Sequence, residues 1–151
     1  MATDWERVGA EGVRHLATDL RALADFLPTF RQADFKAGGW ADYNQTKPGP
    51  VTLPPYRYAP VVGVFYEAAS GHGWVKAFDW FAWAASEEAK SLWEDETAIR
   101  SATPEQLANL LTVCFEADRF SEGFLSEAFE SGRILRILER AAVLAGEMSA
   151  P

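Results

Sequence analysis

The four residues Thr103-Pro104-Glu105-Gln106 constrain the fold more than any other stretch of the chain. A threonine hydroxyl can accept the backbone N–H three residues on, and a glutamine at that third position can reach back to the threonine N–H. A proline between them already has the φ angle of a helix and lacks an N–H that would otherwise go unpaired. Behind this start, Leu107, Leu110, Leu111 and Cys114 recur at the three-and-four spacing of one helix face. The same period runs through the last segment, Arg133 to Ala145, with Ile134, Ile137, Leu138, Ala141 and Leu144 inward, after a stop at Gly132.

Other segments follow the same grammar. Asp4 is placed to cap a first helix running to about Phe26, with Trp5, Val8, Val13, Leu16, Leu20, Leu23 and Leu27 at helical spacing and Pro28 ending it. Pro60 opens a helix through about Ser70, with Val61, Val64, Phe65 and Ala68 inward. Gly71-His72-Gly73 reads as a turn. Asp79 reads as the cap of a helix from Trp80 to about Trp93, and Glu94-Asp95-Glu96 as the start of a short one. A further helix spans Ser121 to Glu130. Between residues 37 and 60, Gly38-Gly39 and Pro48, Pro50, Pro54, Pro55 and Pro60 break every regular pattern. That stretch is expected to lie as a loop over the helical body, held by Tyr43, Tyr56 and Tyr58.

The expected fold is therefore all-α: one compact domain over 1–151, built as a bundle of six or seven helices. Its parts are an N-terminal helix (1–27), a Pro/Gly-rich loop (37–60) and a helical core (60–145). At 151 residues and 48% hydrophobic composition, the chain can bury a sizeable core without disulfides, and Cys114 is its only cysteine. A single thiol suits a reducing compartment, and neither a signal-like start nor a run of about 20 apolar residues appears, so a cytoplasmic location without membrane contact is expected.

The net charge is −8, and residues 1–59 balance seven acids against seven bases, so the whole excess lies from Pro60 onward. Such a field repels phosphates, which disfavours direct nucleic-acid binding and favours a basic protein partner. Glu87, Glu88, Glu94, Asp95 and Glu96 put five acids in one short stretch and are the expected partner contacts. A solvated helix face would explain them as well.

Chemistry-bearing patterns are sparse. Two histidines, His15 and His72, and one cysteine make no metal-ligand spacing, so no metal and no cofactor are expected. Cys114 sits on an apolar face, where a thiol is inert. His72 has Glu67 and Asp79 nearby in sequence to orient it, the minimum for acid–base work, although a turn histidine bonded to local backbone is the simpler reading. The block Trp74, Phe78, Trp80, Phe81 and Trp83 carries rings on more than one face, which favours burial over an exposed anchor. Arg133, Arg136 and Arg140 form one stripe of the last helix. It would make an anion site unless Glu130, Glu139 and the acidic surface around them pair with it.

Three motifs in the C-terminal half carry a resemblance. Phe78-Asp79-Trp80 with Trp83, Asp118-Arg119-Phe120-Ser121-Glu122-Gly123, and Phe129-Glu130-Ser131-Gly132 together resemble a small bacterial family of unknown function, over residues 60–145. The resemblance brings no activity. It implies that Asp79, Trp80, Arg119, Phe120, Glu122 and Gly123 act as one unit, with Arg119 and Glu122 locking a helix corner and Gly123 allowing close packing. The resulting expectation is a non-catalytic acidic binding protein. Its concrete form is a phage or mobile-element inhibitor, akin to an anti-CRISPR, that covers a basic nucleic-acid-handling surface. The alternative is a small enzyme or ligand-binding domain with a polar pocket at His72, Asp79, Trp80, Arg119 and Glu122.

Overall fold

The computed structural model describes residues 9–40 and 56–149. The chain runs α1 (Gly9–Ala24), α2 (Leu27–Phe30), β1 (Gly38–Trp40), β2 (Tyr56–Tyr58), α3 (Pro60–Gly71), α4 (Trp80–Ala84), α5 (Glu87–Glu94), α6 (Glu96–Ile99), α7 (Pro104–Asp118), α8 (Phe124–Glu130) and α9 (Arg133–Ser149). The protein is mostly α-helical. The helices outnumber the six or seven expected because several split into short pieces.

Helix α7 forms the centre. The capping box is complete: Thr103 Oγ1 accepts the Gln106 N–H at 3.1 Å, and Gln106 Oε1 accepts the Thr103 N–H at 2.9 Å. Pro104 and every residue from Leu107 to Phe115 are buried. A helix buried on all faces lies inside the protein rather than on it. Around it, α1 and α9 make the most extensive helix–helix contact in the molecule. Leu20 and Leu23 from α1 and Ile134, Ile137, Leu138, Ala141 and Leu144 from α9 join the same core.

Several boundaries differ from expectation, each for a local reason. Pro28 does not close the first helix. The chain turns at Asp25-Phe26, and Pro28 then stands in the first turn of α2, where its missing N–H costs nothing. Asp4, Trp5 and Val8 lie outside the described residues. In the 37–60 stretch, Gly38 pairs with Tyr58, Gly39 with Arg57 and Trp40 with Tyr56 in an antiparallel two-stranded ribbon, so its two ends are paired strands and not loop. Tyr-Arg-Tyr suits a strand, because aromatic side chains fit a pleated surface. The intervening prolines and Tyr43 lie outside the described residues. Tyr58 does pin the ribbon: its hydroxyl donates to Asp118 Oδ1 at 2.5 Å.

The helix expected over 80–93 is broken by Ser86. Its hydroxyl donates to the Trp83 carbonyl at 2.5 Å and accepts the Ala89 N–H at 3.2 Å, closing α4 and capping α5 with one side chain. Asp79 caps α4, as its position suggested, by accepting the Ala82 N–H at 3.1 Å. On α3 the buried face is Val62, Phe65 and Ala69, while Val64 is exposed and Val61 and Ala68 are half-buried. Only Phe65 of the expected four is buried.

Helix α8 starts at Phe124, three residues later than expected, because Gly123 adopts φ +92°. A Cβ there would meet nothing within 4 Å, so glycine is required for its backbone angle and not for close packing. Asp118 Oδ1 caps the new helix from outside, accepting the Leu125 N–H at 3.0 Å as well as the Tyr58 hydroxyl. One carboxylate oxygen thus joins the strand ribbon to the α7–α8 corner.

Candidate partner-docking site

The reactive-looking side chains are committed to structure. Cys114 is fully buried, and desolvation pushes its thiol up to about 12, out of reach of nucleophilic chemistry near neutrality. His72 Nδ1 lies 2.7 Å from Asp19 Oδ1, so its carboxylate partner comes from α1 and not from Glu67 or Asp79. Trp74 Nε1 donates to the Asp19 carbonyl at 2.9 Å. These two contacts clamp the Gly71–Trp74 turn onto α1. Among the described residues, no three His, Cys, Asp or Glu side chains cluster as metal ligands, and no helix is long and apolar enough to cross a membrane.

The five residues expected to form a polar pocket divide into separate settings. His72 faces Asp19, and Asp79 caps α4. Trp80 stacks on Phe120 (centroids 6.1 Å apart, planes at 28°) and meets Phe81 edge-on at 5.9 Å. Arg119 contacts Glu116 at 3.3 Å, and Glu122 is exposed. None of the cavities described below is lined by any of the five. With its side chain 67% exposed, Arg119 makes a surface pair worth less than about 1 kcal/mol. Arg119→Ala should therefore shift unfolding stability by about half a kcal/mol or less. A larger loss in urea titration would restore the corner to the structural role the motif implied.

The aromatic block is the clearest departure from expectation. Trp74 is buried, but Phe81 is 76% exposed, and Trp83, Trp80 and Phe78 are half-buried. Phe120, a ring that the sequence did not single out for exposure, is 80% exposed. Within the five-residue α4, Trp83 packs against the core while Phe81 faces outward.

The acidic stretch is exposed throughout, and its members differ in freedom. Glu88 accepts Trp83 Nε1 at 2.7 Å and Gln106 Nε2 at 2.8 Å, linking α4, α5 and the start of α7. Asp95 caps α6 by accepting the Thr97 hydroxyl at 2.7 Å and the Thr97 N–H at 2.9 Å, and these bonds hold its carboxyl below the usual range. Glu96 pairs with Arg136 at 3.4 Å. Glu87 and Glu94 make no hydrogen bond or ion pair among the described residues. They stand seven apart on α5, hence on one stripe, with Lys90 between them.

Beside that stripe opens a cleft of about 240 Å³, walled by α4, α5, α7 and α8. Its lining is almost wholly apolar: Leu110 and Val113 form the floor, Trp83, Trp93 and Phe124 the sides, and Lys90 and Glu94 stand at the exposed rim. Trp93 is held between neighbours, stacked with Phe124 at 5.6 Å and approached by the Arg133 guanidinium at 4.7 Å. Arg133 is fixed in turn by the Trp93 carbonyl at 3.0 Å. Sequence reasoning missed Trp93, Lys90 and Phe124 as site residues, since the cleft exists only where four elements meet.

The chain belongs to DUF6508, a family of unknown function, whose model matches residues 15–147. The match takes in α3 to α8 in full and most of α1 and α9. No curated protein and no solved structure matches the chain.

Proposed function

We propose that the protein is a non-catalytic binding protein that docks through its α4–α5 face on a protein partner with a basic surface. One observation carries this reading: the apolar cleft between Trp83 and Trp93 opens on the helix that presents Glu87 and Glu94, which make no hydrogen bond or ion pair among the described residues. An apolar aromatic cleft with charged residues beside it suits an interface, in which the cleft supplies affinity and the charges speed encounter. Phe81 and Phe120, both in ring contact with Trp80 of α4, add exposed aromatic area. The net charge of −8 selects a basic partner and disfavours nucleic acid. An inhibitor that covers a nucleic-acid-handling surface is the concrete form of this function.

The test uses the full chain as bait in a host lysate, beside the variant Glu87→Lys/Glu94→Lys, which removes no contact among the described residues. The wild type should retain a basic protein that the variant loses. With the retained protein purified, association at low salt should slow by about tenfold in the variant, and the difference should shrink as salt screens it. Equal retention and equal rates for the two baits would overturn the proposal, and so would retention of acidic proteins or nucleic acid.

A further inference from the structure

On the other side of α6, the structure gathers positive charge that an acidic chain would not be expected to collect. The α6–α9 cleft has a volume of about 330 Å³ and is lined by Ile99, Arg100, Arg136, Glu139, Arg140 and Val143. The arginine stripe of α9 was expected to pair with Glu130, Glu139 and the acidic surface around them; two of its members do pair with acids, but with Glu127 and Glu96. Arg133 turns to Glu127 and the Trp93 carbonyl. Arg136 contacts Glu96 and the Ser131 carbonyl, both at 3.3–3.4 Å. Arg140 Nε donates to the Ala102 carbonyl at 2.9 Å, which fixes the group while its terminal nitrogens make no bond among the described residues. Arg100, exposed just past the end of α6, makes no hydrogen bond or ion pair among them. Glu139 is the one acid in the lining, against three guanidinium groups.

We propose that this cleft binds a small phosphate-bearing molecule with a short apolar body. Guanidinium groups suit phosphate because their paired N–H donors match two of its oxygens, and bonds between charged partners are the strong ones. Arg140, held by its Nε, is oriented before any ligand arrives, so little freedom is lost on binding. Arg136 is similarly braced, and Arg100 is free to close on the anion. Ile99 is buried and Val143 is exposed, which gives the ligand's carbon portion an apolar wall. The volume stands at the lower end of ligand sites, roughly 300–1,000 Å³, so the occupant is small. This site lies apart from the Trp83–Trp93 cleft and shares no lining residue with it, so it stands or falls independently of the docking reading.

The test is calorimetric titration of the full chain with phenyl phosphate, inorganic phosphate and a short single-stranded oligonucleotide. Phenyl phosphate should saturate one site with a dissociation constant on the order of 10⁻⁴ M, several-fold tighter than inorganic phosphate. Arg100→Gln should weaken it by about tenfold while leaving the melting temperature of the unliganded protein unchanged, since the Arg100 side chain makes no hydrogen bond or ion pair among the described residues. Arg140→Lys, which keeps the charge and loses the fork, should weaken it as well. No saturation by about 10 mM phenyl phosphate would overturn the proposal. Binding indifferent to both arginine variants would place the anion elsewhere and overturn it too. Equal affinity for phenyl and inorganic phosphate would remove the apolar wall from the site, and tighter binding of the oligonucleotide would replace the small ligand with nucleic acid.

Discussion

Replacing Phe65 with alanine is expected to cost about 3–5 kcal/mol of stability, among the largest losses available to a single change in this protein. Phe65 has no exposed surface. Its ring meets Phe26 and Phe30 from the α1–α2 corner at 5.1 and 5.2 Å, Phe115 from α7 at 5.7 Å and Phe129 from α8 at 6.2 Å. The Phe26 and Phe30 contacts are edge-to-face, the arrangement that the ring quadrupole favours. Truncation would remove the transfer free energy of the ring and leave a void among side chains belonging to different helices, which cannot all close on it. Phe65→Leu should cost clearly less, because it keeps most of the volume. Urea unfolding of the two variants checks this, and a loss under about 1 kcal/mol for Phe65→Ala would mean that the aromatic cluster is not the joint between α2, α3, α7 and α8.

Phe65 also shows how far the sequence could be read. On α3 both Val61-Val64-Ala68 and Val62-Phe65-Ala69 have helical spacing, and nothing local decides between them. The face that wins is set by Phe26, Phe30 and Phe129, distant in sequence. Helix α7 posed no such ambiguity, because its cap and its leucines agree, and all four residues expected inward are buried. Local chemistry was legible at the caps Asp79 and Thr103, whose side chains bond three residues on, and the acidic start at Glu94-Asp95-Glu96 did mark a helix. It failed at Ser86, which was read as an ordinary helix position although a serine hydroxyl can both close one helix and open the next. That break separates α4 from α5, the two helices that wall the candidate site on one side. The His72–Asp19 contact spans 53 positions, and the cleft at Trp83 and Trp93 needs four elements, so neither leaves a local trace. The exposed acids were legible as a surface; which two of them make no hydrogen bond or ion pair among the described residues was not.

The polar contact that sets the aromatic segment in place is open to a sharper experiment. Thr112 is fully buried on α7, and its hydroxyl donates to the Ala108 carbonyl at 2.8 Å, as helical threonines commonly do. The same oxygen accepts the Lys76 N–H at 3.1 Å, a bond across 36 positions that ties the Trp74–Asp79 connection to the central helix. Thr112→Val preserves shape and removes the acceptor. The Ala108 carbonyl keeps its place in the helix ladder, while the Lys76 N–H is left without its partner against the core. An unmet buried donor costs about 1–3 kcal/mol, and because Lys76 is half-buried a loss of about 1 kcal/mol is expected from denaturant unfolding. Thr112→Ser, which keeps the hydroxyl and gives up one methyl, should lose about 1 kcal/mol by the cavity it leaves. The two variants separate the causes through hydrogen exchange. The Lys76 amide should exchange faster in the valine variant and remain protected in the serine variant, because local protection follows the bond and not the packing. Since α4 hangs from this connection, the valine variant should also weaken partner binding while the serine variant does not. If both variants protect Lys76 equally, Thr112 contributes packing alone, and the position of α4 is set by its own ring contacts with Phe78 and Phe120.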